Sequence, residues 1–486
     1  MLVSPAPVQS PQLFPAIAQQ VSMSLRRRLA RPQRHRLLQG YPMAPLLRSE
    51  PPSFEPFAGL DLDASRPMLV GVLPHTFCNP RVRGCGFCTF PHERLDQPSL
   101  RRTVDHVTGE VRSVLDACPS LRGRKVPAVY LGGGTANLTP PEELRKIAEA
   151  LTGSFDLREA EVTLEGVPRY FLLREEALLD VLSAMDVGSR RISMGVQSFD
   201  PSWIRRMGRE HFGDLEVISA AQKAAHRRGF ATSADLLINL PGAPSDLALS
   251  DVRTAMGLGF DQICVYNLVL TEDLDTEWAH DKSLLVRAAS NEQAHKTWRA
   301  VRRTLLAAGY VQTTLTNFER GDLPQARRFR YELLSFRPDL VDGLGFGPGA
   351  LSTFTFRGQK RARKWMNEAF SADYVAKLDR GESAAARSFD YAEVDLKLLF
   401  LTRGFSKRAV DGAAYREFFG TFPWEDFADV FSVLEREGLV RRKGDQLALT
   451  PEGMFFADAV AGLLAENRVR QIAPGWERRP VHDPMG

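Results

Sequence analysis

Three cysteines lie within one eleven-residue run, Cys78-Asn79-Pro80-Arg81-Val82-Arg83-Gly84-Cys85-Gly86-Phe87-Cys88. Soft thiolates at such spacing bind zinc or an iron–sulfur cluster. Zinc needs a fourth ligand, and His75 or His92 would complete a closed Cys3His site. A cubane held by three cysteines instead keeps one iron open for a further ligand, which is what catalysis needs. The segment alone leaves both open. The other two cysteines read as buried thiols: Cys118 just past a helix end, Cys264 inside the apolar run Ile263-Cys264-Val265.

One βα unit downstream comes Gly132-Gly133-Gly134-Thr135, directly after Val129-Tyr130-Leu131. Without side chains the backbone can approach a ligand closely. By itself a glycine run is weak evidence.

The elements that must position these groups follow from the hydrophobic pattern. From Met68 onward, short β-branched or apolar runs alternate with longer amphipathic stretches, the mark of parallel βα units. The predicted strands are 68–73, 128–131, 161–165, 191–196, 232–238 and 261–268, with a later one at 310–316. Between them the pattern predicts helices over 100–115, 141–151, 174–185, 201–228 and 247–258, then 291–308, and a further helical region from Arg361 to Leu378. Six alternations imply a full or partial barrel, with the cysteine loop at its C-terminal mouth. The last hundred residues read as helices at 392–401 and 424–437, strands at 439–442 and 446–449, and a final helix to about Ala465, a winged-helix order.

The whole chain has 486 residues, 44% apolar and 25% charged, which fits a globular protein and excludes disordered and fibrous classes. It shows neither a long apolar span nor a secretory leader, so a cytoplasmic protein with no membrane span is expected. Formal charge is +4, yet the first 49 residues carry seven arginines and no acid, leaving the rest at −3. That arm is Pro-rich as well, with Ser4-Pro5-Ala6-Pro7 and Ser10-Pro11, and reads as a loosely ordered segment rather than a nucleic-acid contact. The domain division is thus an arm at 1–60, a barrel with its extension at 61–380, a winged-helix-like domain at 381–470 and a tail at 471–486.

Further strings join the cysteine loop and glycine run: Arg191-Ile192-Ser193-Met194-Gly195-Val196-Gln197-Ser198-Phe199-Asp200, Asp235-Leu236-Leu237-Ile238-Asn239-Leu240-Pro241-Gly242, Gly345-Phe346-Gly347-Pro348-Gly349-Ala350-Leu351-Ser352 and Leu449-Thr450-Pro451-Glu452-Gly453. In order and spacing the chain resembles the radical S-adenosylmethionine (SAM) superfamily, and more narrowly the oxygen-independent coproporphyrinogen III dehydrogenase-like family, over about residues 68–465. The fold this implies is α/β, a partial (βα)6-type radical SAM barrel with a C-terminal winged-helix-like domain.

The resemblance implies that Cys78, Cys85 and Cys88 hold a 4Fe-4S cluster whose free iron is chelated by SAM. Phe87 would flank the adenine, and Gly133, Gly134 and Thr135 would meet the methionine end. Glu165, Gln197, Arg209 and Asp235 would fix the charged and hydroxyl groups, roles that suit an arginine facing a carboxylate and acids facing an ammonium or ribose. Gly349 and Ala350 resemble the site for a second SAM or the substrate, so one or two SAM molecules are expected. An electron donor such as flavodoxin or ferredoxin is implied as partner.

Departures bear on the substrate. Family members carry Tyr-x-His-x-Pro-x-Cys into the loop, where this chain has Val72, Pro74 and Thr76, and six residues rather than three separate Cys78 from Cys85. Loop-closure cost grows slowly with length, so the longer spacer still permits a cluster. The lost tyrosine and histidine argue against coproporphyrinogen decarboxylation. The first reading is therefore a radical SAM enzyme transferring a methyl or methylene group to carbon of a small-molecule or peptide intermediate. The second is a tetrapyrrole protein, a coproporphyrinogen-type oxidative decarboxylase or a haem chaperone. A nucleic-acid binder built on a structural metal ranks last.

Overall fold

The computed structural model describes residues 13–33, 41–79, 81–272, 274–356 and 358–474. The expected proline motifs before Leu13, the arginines at 34 and 36, Pro80 of the cysteine run and the tail from 475 lie outside these residues.

Six strands follow one another across the sheet in chain order: β1 (Met68–Val72), β2 (Ala128–Leu131), β3 (Glu161–Gly166), β4 (Ser189–Gln197), β5 (Ala231–Ile238) and β6 (Gln262–Asn267). Every adjacent pair is parallel. Their sequences are apolar because helices cover one face and the lumen the other. The helix Gln97–Ala117 shows why the crossovers pack: Leu100, Val104, Val107, Val111 and Leu115 fall three or four residues apart and all are buried. Each such side chain contributes about 1.5–3 kcal/mol when removed from water. Asp96 caps that helix by accepting the Ser99 N–H.

The sheet continues past both edges of this barrel. At the β6 edge, β7 (Tyr310–Gln312) and β8 (Asn317–Arg320) form an antiparallel hairpin. The expected single strand over 310–316 is thereby corrected: the chain turns back after Gln312, and the Thr313 N–H donates to the Asn317 carbonyl. At the other edge, β9 (Asp342–Phe346) pairs parallel with β1. Antiparallel β10 (Leu351–Thr355), β11 (Ala362–Asn367) and β12 (Ala385–Tyr391) extend the sheet from there. With a two-residue strand, Arg48–Ser49, antiparallel to β12 at the outer edge, the result is one mixed sheet of thirteen strands among the described residues, open at its two ends.

Three further expectations are corrected. The helical region predicted from Arg361 begins as strand β11, which pairs on both sides, and becomes helical only at Ser371–Asp379. The helix predicted over 201–228 breaks into Pro201–Arg206 and Leu215–Arg227, because Gly208 and Gly213 turn the chain at φ +68° and +133° and Asp214 starts a new cap. The loose arm contains a helix, Leu13–Leu29, that lies on the last helix, Ala457–Ile472. Leu25 is 1% exposed there, and Arg28 pairs with Glu466 at 3.3 Å.

The C-terminal region has helix Glu393–Ser406, helix Ala428–Arg436 and the hairpin Val440–Lys443 and Gln446–Leu449 in the expected order, with an unexpected strand Ala409–Asp411 and helix Gly412–Phe419 inserted between the two helices. Their apolar faces join the main core. Among the described residues no helix is long and apolar enough to cross a membrane.

Candidate functional site

Strand parity decides what the lumen contains. Alternate residues point inward, so β3 presents Thr163 and Glu165, β4 presents Arg191, Ser193, Gly195 and Gln197, and β5 presents Ser233 and Asp235. Those nearest the C-terminal ends open into a cavity of about 410 Å³. The three cysteines Cys78, Cys85 and Cys88 line it together with Phe87. Gly133, Gly134, Thr135, Glu165, Gln197, Arg209 and Asp235 complete the set that the sequence singled out.

Gly133 and Gly134 adopt φ +82° and +53°. A Cβ on Gly134 would lie 3.0 Å from the His75 carbonyl oxygen, so the glycine turn fits against the cysteine loop only without side chains. The Thr135 hydroxyl sits 2.9 Å from Cys78 Sγ. Arg209, 7% exposed, donates from Nη1 to Cys85 Sγ at 3.3 Å and from Nη2 to the Gly195 carbonyl. On the facing wall the Tyr130 hydroxyl donates to Glu165 at 3.0 Å, and Ser193 donates to Asp235 at 3.2 Å.

The electrostatics are those of a site short of cations. Burial, aided by Glu165 nearby, pushes Asp235 up to about 7. Burial likewise pushes Cys78 up to about 12, with Cys85 adding to the effect, and raises Tyr130 well above its ordinary range. Acids and thiols held in their neutral forms this way release protons when a positive group arrives. A cationic metal cluster beside the sulfurs and an ammonium or sulfonium beside the carboxylates would do that.

The donor set tests which group fits. Among the described residues no three His, Cys, Asp or Glu side chains converge on one point where a single ion could sit. His75 is turned away from the sulfurs, with Nδ1 accepting from the Phe77 N–H and Nε2 facing the Thr139 hydroxyl at 3.2 Å. Burial holds it neutral, down at about 3. The His92 ring lies 3.0 Å from the Phe90 carbonyl. A closed Cys3His zinc site does not fit, whereas three thiols around one cavity suit a body larger than one ion.

Gly349 and Ala350 are not among the residues lining this cavity. The Gly349 N–H donates to the Glu368 carbonyl, Ala350 closes a turn on Gly347, and the Gly347 N–H donates to buried Glu110 at 2.7 Å. This turn joins β9 to β10. Val72, Pro74 and Thr76 are buried and also absent from the wall, Thr76 being tied to Glu93 and Ser371. Cys264 is buried as expected, but Cys118 is half-exposed. Tyr130, Ser193 and Tyr266 are the site residues that motif reading passed over; counting inward positions along each strand would have found them.

With this geometry in place, comparison with known proteins defines the class. Residues 72–246 match the Radical SAM superfamily model, and the chain carries a radical SAM domain. The chain is 28% identical over 291 residues to the oxygen-independent coproporphyrinogen III oxidase of Paracoccus denitrificans, covering 57% of this chain and 60% of that one. It is 25% identical over 234 residues to the heme chaperone HemW of Lactococcus lactis, covering 48% and 60%. The chain thus spans about 60% of the length of these relatives. Coproporphyrinogen III oxidase (HemN) from Escherichia coli has the same fold, with a TM-score of 0.68 at 21% identity over 83% of this chain and 91% of that one.

Proposed function

We propose that this protein is a radical SAM enzyme whose substrate belongs to tetrapyrrole chemistry, as an oxidase-like catalyst or a haem-handling protein. The observation that carries the radical SAM reading is the single cavity in which three thiols face Glu165, Gln197, Arg209 and Asp235. The names of the relatives support the tetrapyrrole part. Methyl or methylene transfer, the first reading of the sequence, has no such support; Gly349 and Ala350, expected to meet a second SAM or the substrate, lie outside the cavity.

Cys78, Cys85 and Cys88 would hold the 4Fe-4S cluster. With SAM bound beside it, such a cluster supplies the electron that splits the sulfonium into methionine and a 5′-deoxyadenosyl radical. The protein's share is to orient and to exclude water. Phe87 offers an apolar ring for the adenine, and Gly133, Gly134 and Thr135 leave backbone groups open to the methionine end. Arg209 would pair with the carboxylate, while Glu165, Gln197 and Asp235 would accept from the ammonium and the ribose hydroxyls. The Tyr130 and Ser193 hydroxyls donate to Glu165 and Asp235 and so orient the two acids. A small one-electron carrier such as flavodoxin or ferredoxin would supply the reductant.

The test is anaerobic. The chain is reconstituted with iron and sulfide, reduced and given SAM, with coproporphyrinogen III or haem added in parallel. The reading expects 5′-deoxyadenosine, with consumption of coproporphyrinogen or a Soret band from bound haem. S-adenosylhomocysteine formed with 5′-deoxyadenosine would favour methyl transfer instead, and an intact cluster yielding no 5′-deoxyadenosine would overturn the enzyme reading.

A further inference from the structure

The spacer between Cys78 and Cys85 is held from two sides by loops that reach it from other parts of the barrel. After β4, residues 208–211 grip its first half. The Arg81 N–H donates to the Gly208 carbonyl at 3.3 Å, and the His211 ring contacts the Asn79 carbonyl. Gly208 lies so close to Val82 that a Cβ there would sit 2.7 Å from the Val82 nitrogen.

After β6, residues 275–278 meet Arg83 in its second half and the Gly86-Phe87 turn that follows Cys85. The Arg83 N–H donates to the Glu277 carboxylate at 3.2 Å. The Trp278 indole fills the space beside Gly86, where a Cβ would meet Nε1 at 2.2 Å, and Gly86 takes φ +79°. Trp278 is 4% exposed, meets the Phe87 ring edge-on at 5.7 Å and is itself backed by Trp203 at 6.0 Å. Trp203, Met207, Leu237 and Leu274 make up a small apolar cluster around it, separate from the main core.

We propose that Trp278 is a positioning residue for this site: with the Gly208 loop opposite, it braces the lengthened cysteine loop so that Phe87 and the thiols of Cys85 and Cys88 stand in place before any cofactor arrives. The proposal rests on the reading of the three cysteines as cluster ligands. A six-residue spacer samples many more closed shapes than a three-residue one, and ordering it costs conformational entropy. Contacts from Gly208 and His211 on one side and from Glu277 on the other reduce that freedom at residues 79 and 81–83 in the folded chain. Phe87, lying between Cys85 and Cys88 and touching Trp278, is the point at which the brace reaches the SAM pocket.

The test has one readout on the cluster-free full-length chain and another on the loaded protein. In Trp278→Ala, amide hydrogen exchange over residues 81–88 accelerates about tenfold, as local opening becomes easier, with the barrel strands unchanged. After reconstitution, this variant has a KM for SAM raised about tenfold, and the change that SAM induces in the electron paramagnetic spectrum of the reduced cluster needs correspondingly more SAM. Trp278→Phe, which keeps an aromatic ring against Gly86, restores most of both. Unchanged exchange and unchanged SAM dependence in Trp278→Ala overturn the proposal. If that variant loses its near-UV signal, Glu277→Ala decides: its exposed carboxylate leaves the core intact, and unaltered exchange at residues 83–85 overturns the brace. Wild-type chain that takes up no iron would instead overturn the cluster reading, while the exchange result would still judge the brace.

Discussion

At the floor of the barrel the Arg191 guanidinium donates to Gln262, sits 3.5 Å from Glu319 and lies over the Phe329 ring at 4.7 Å. The short helix Arg330–Ser335 plugs this end, with the N–H groups of Phe329, Arg330 and Tyr331 donating to Glu319 and Glu161. At the mouth the same kinds of group line an open cavity, with acids and thiols in excess over the one guanidinium of Arg209. Both ends bury charge. The floor pairs Arg191, Glu161 and Glu319 with one another and with the plug helix, so it closes the barrel. The mouth gathers its acids and thiols around a cavity open to a ligand.

The largest effect separating the two ends is expected at the cysteines. Cys85→Ala removes a thiolate that the loop cannot replace, so iron content and 5′-deoxyadenosine formation fall to background while the urea-unfolding midpoint of the cluster-free chain barely moves. Retained iron with turnover would mean that the ligands are misassigned. Arg191→Met tests the opposite end. Removing one partner of a buried ion group costs about 3–5 kcal/mol, read as a lower midpoint in urea, and the molecules still folded bind SAM normally. If that variant lost SAM binding without losing stability, the floor would not be structural.

Arg209→Ala is a smaller change at the mouth. Loss of a charge-assisted hydrogen bond weakens SAM binding about tenfold to a hundredfold, measured by equilibrium binding, with iron retained. Within the plug helix itself lies Glu332, which burial pushes up to about 8 and whose Oε2 has no hydrogen-bond partner. Its folded pKa is raised, so the fold keeps it neutral while the unfolded chain ionises. Its contribution is whole below about pH 4.5 and declines as pH rises to about 8. Glu332→Gln should therefore gain about 2–4 °C in midpoint relative to wild type on going from pH 5 to pH 8, and an equal offset at both would contradict the assignment. The least effect belongs to Asp275→Ala, whose exposed pair with Arg83 is worth under about 1 kcal/mol in a thermal melt.

Much of this was legible locally. The six parallel strands follow from apolar runs with amphipathic crossovers between them, and each lies within two residues of its expected bounds. Eleven of the thirteen site residues lie together because motifs at the C-terminal ends of adjacent parallel strands converge by geometry. Arg361–Leu378 was misread since β11 owes its conformation to β10 and β12, not to its own pattern. The arm helix was missed for a like reason: its apolar face is meaningful only against Ala457–Ile472, more than four hundred residues away.

Residue type and spacing by themselves determined the cysteine loop, the glycine turn and the alternation that makes a barrel, for these depend on chemistry and periodicity within a few residues. Only the tertiary structure decided that β9 lies beside β1, that Gly349 and Ala350 stay outside the cavity, that Gly208 and Glu277 contact the long spacer, and that Trp278 packs beside Gly86. Those outcomes depend on which distant surfaces meet, and contact energies between segments far apart in the chain leave no period in either one.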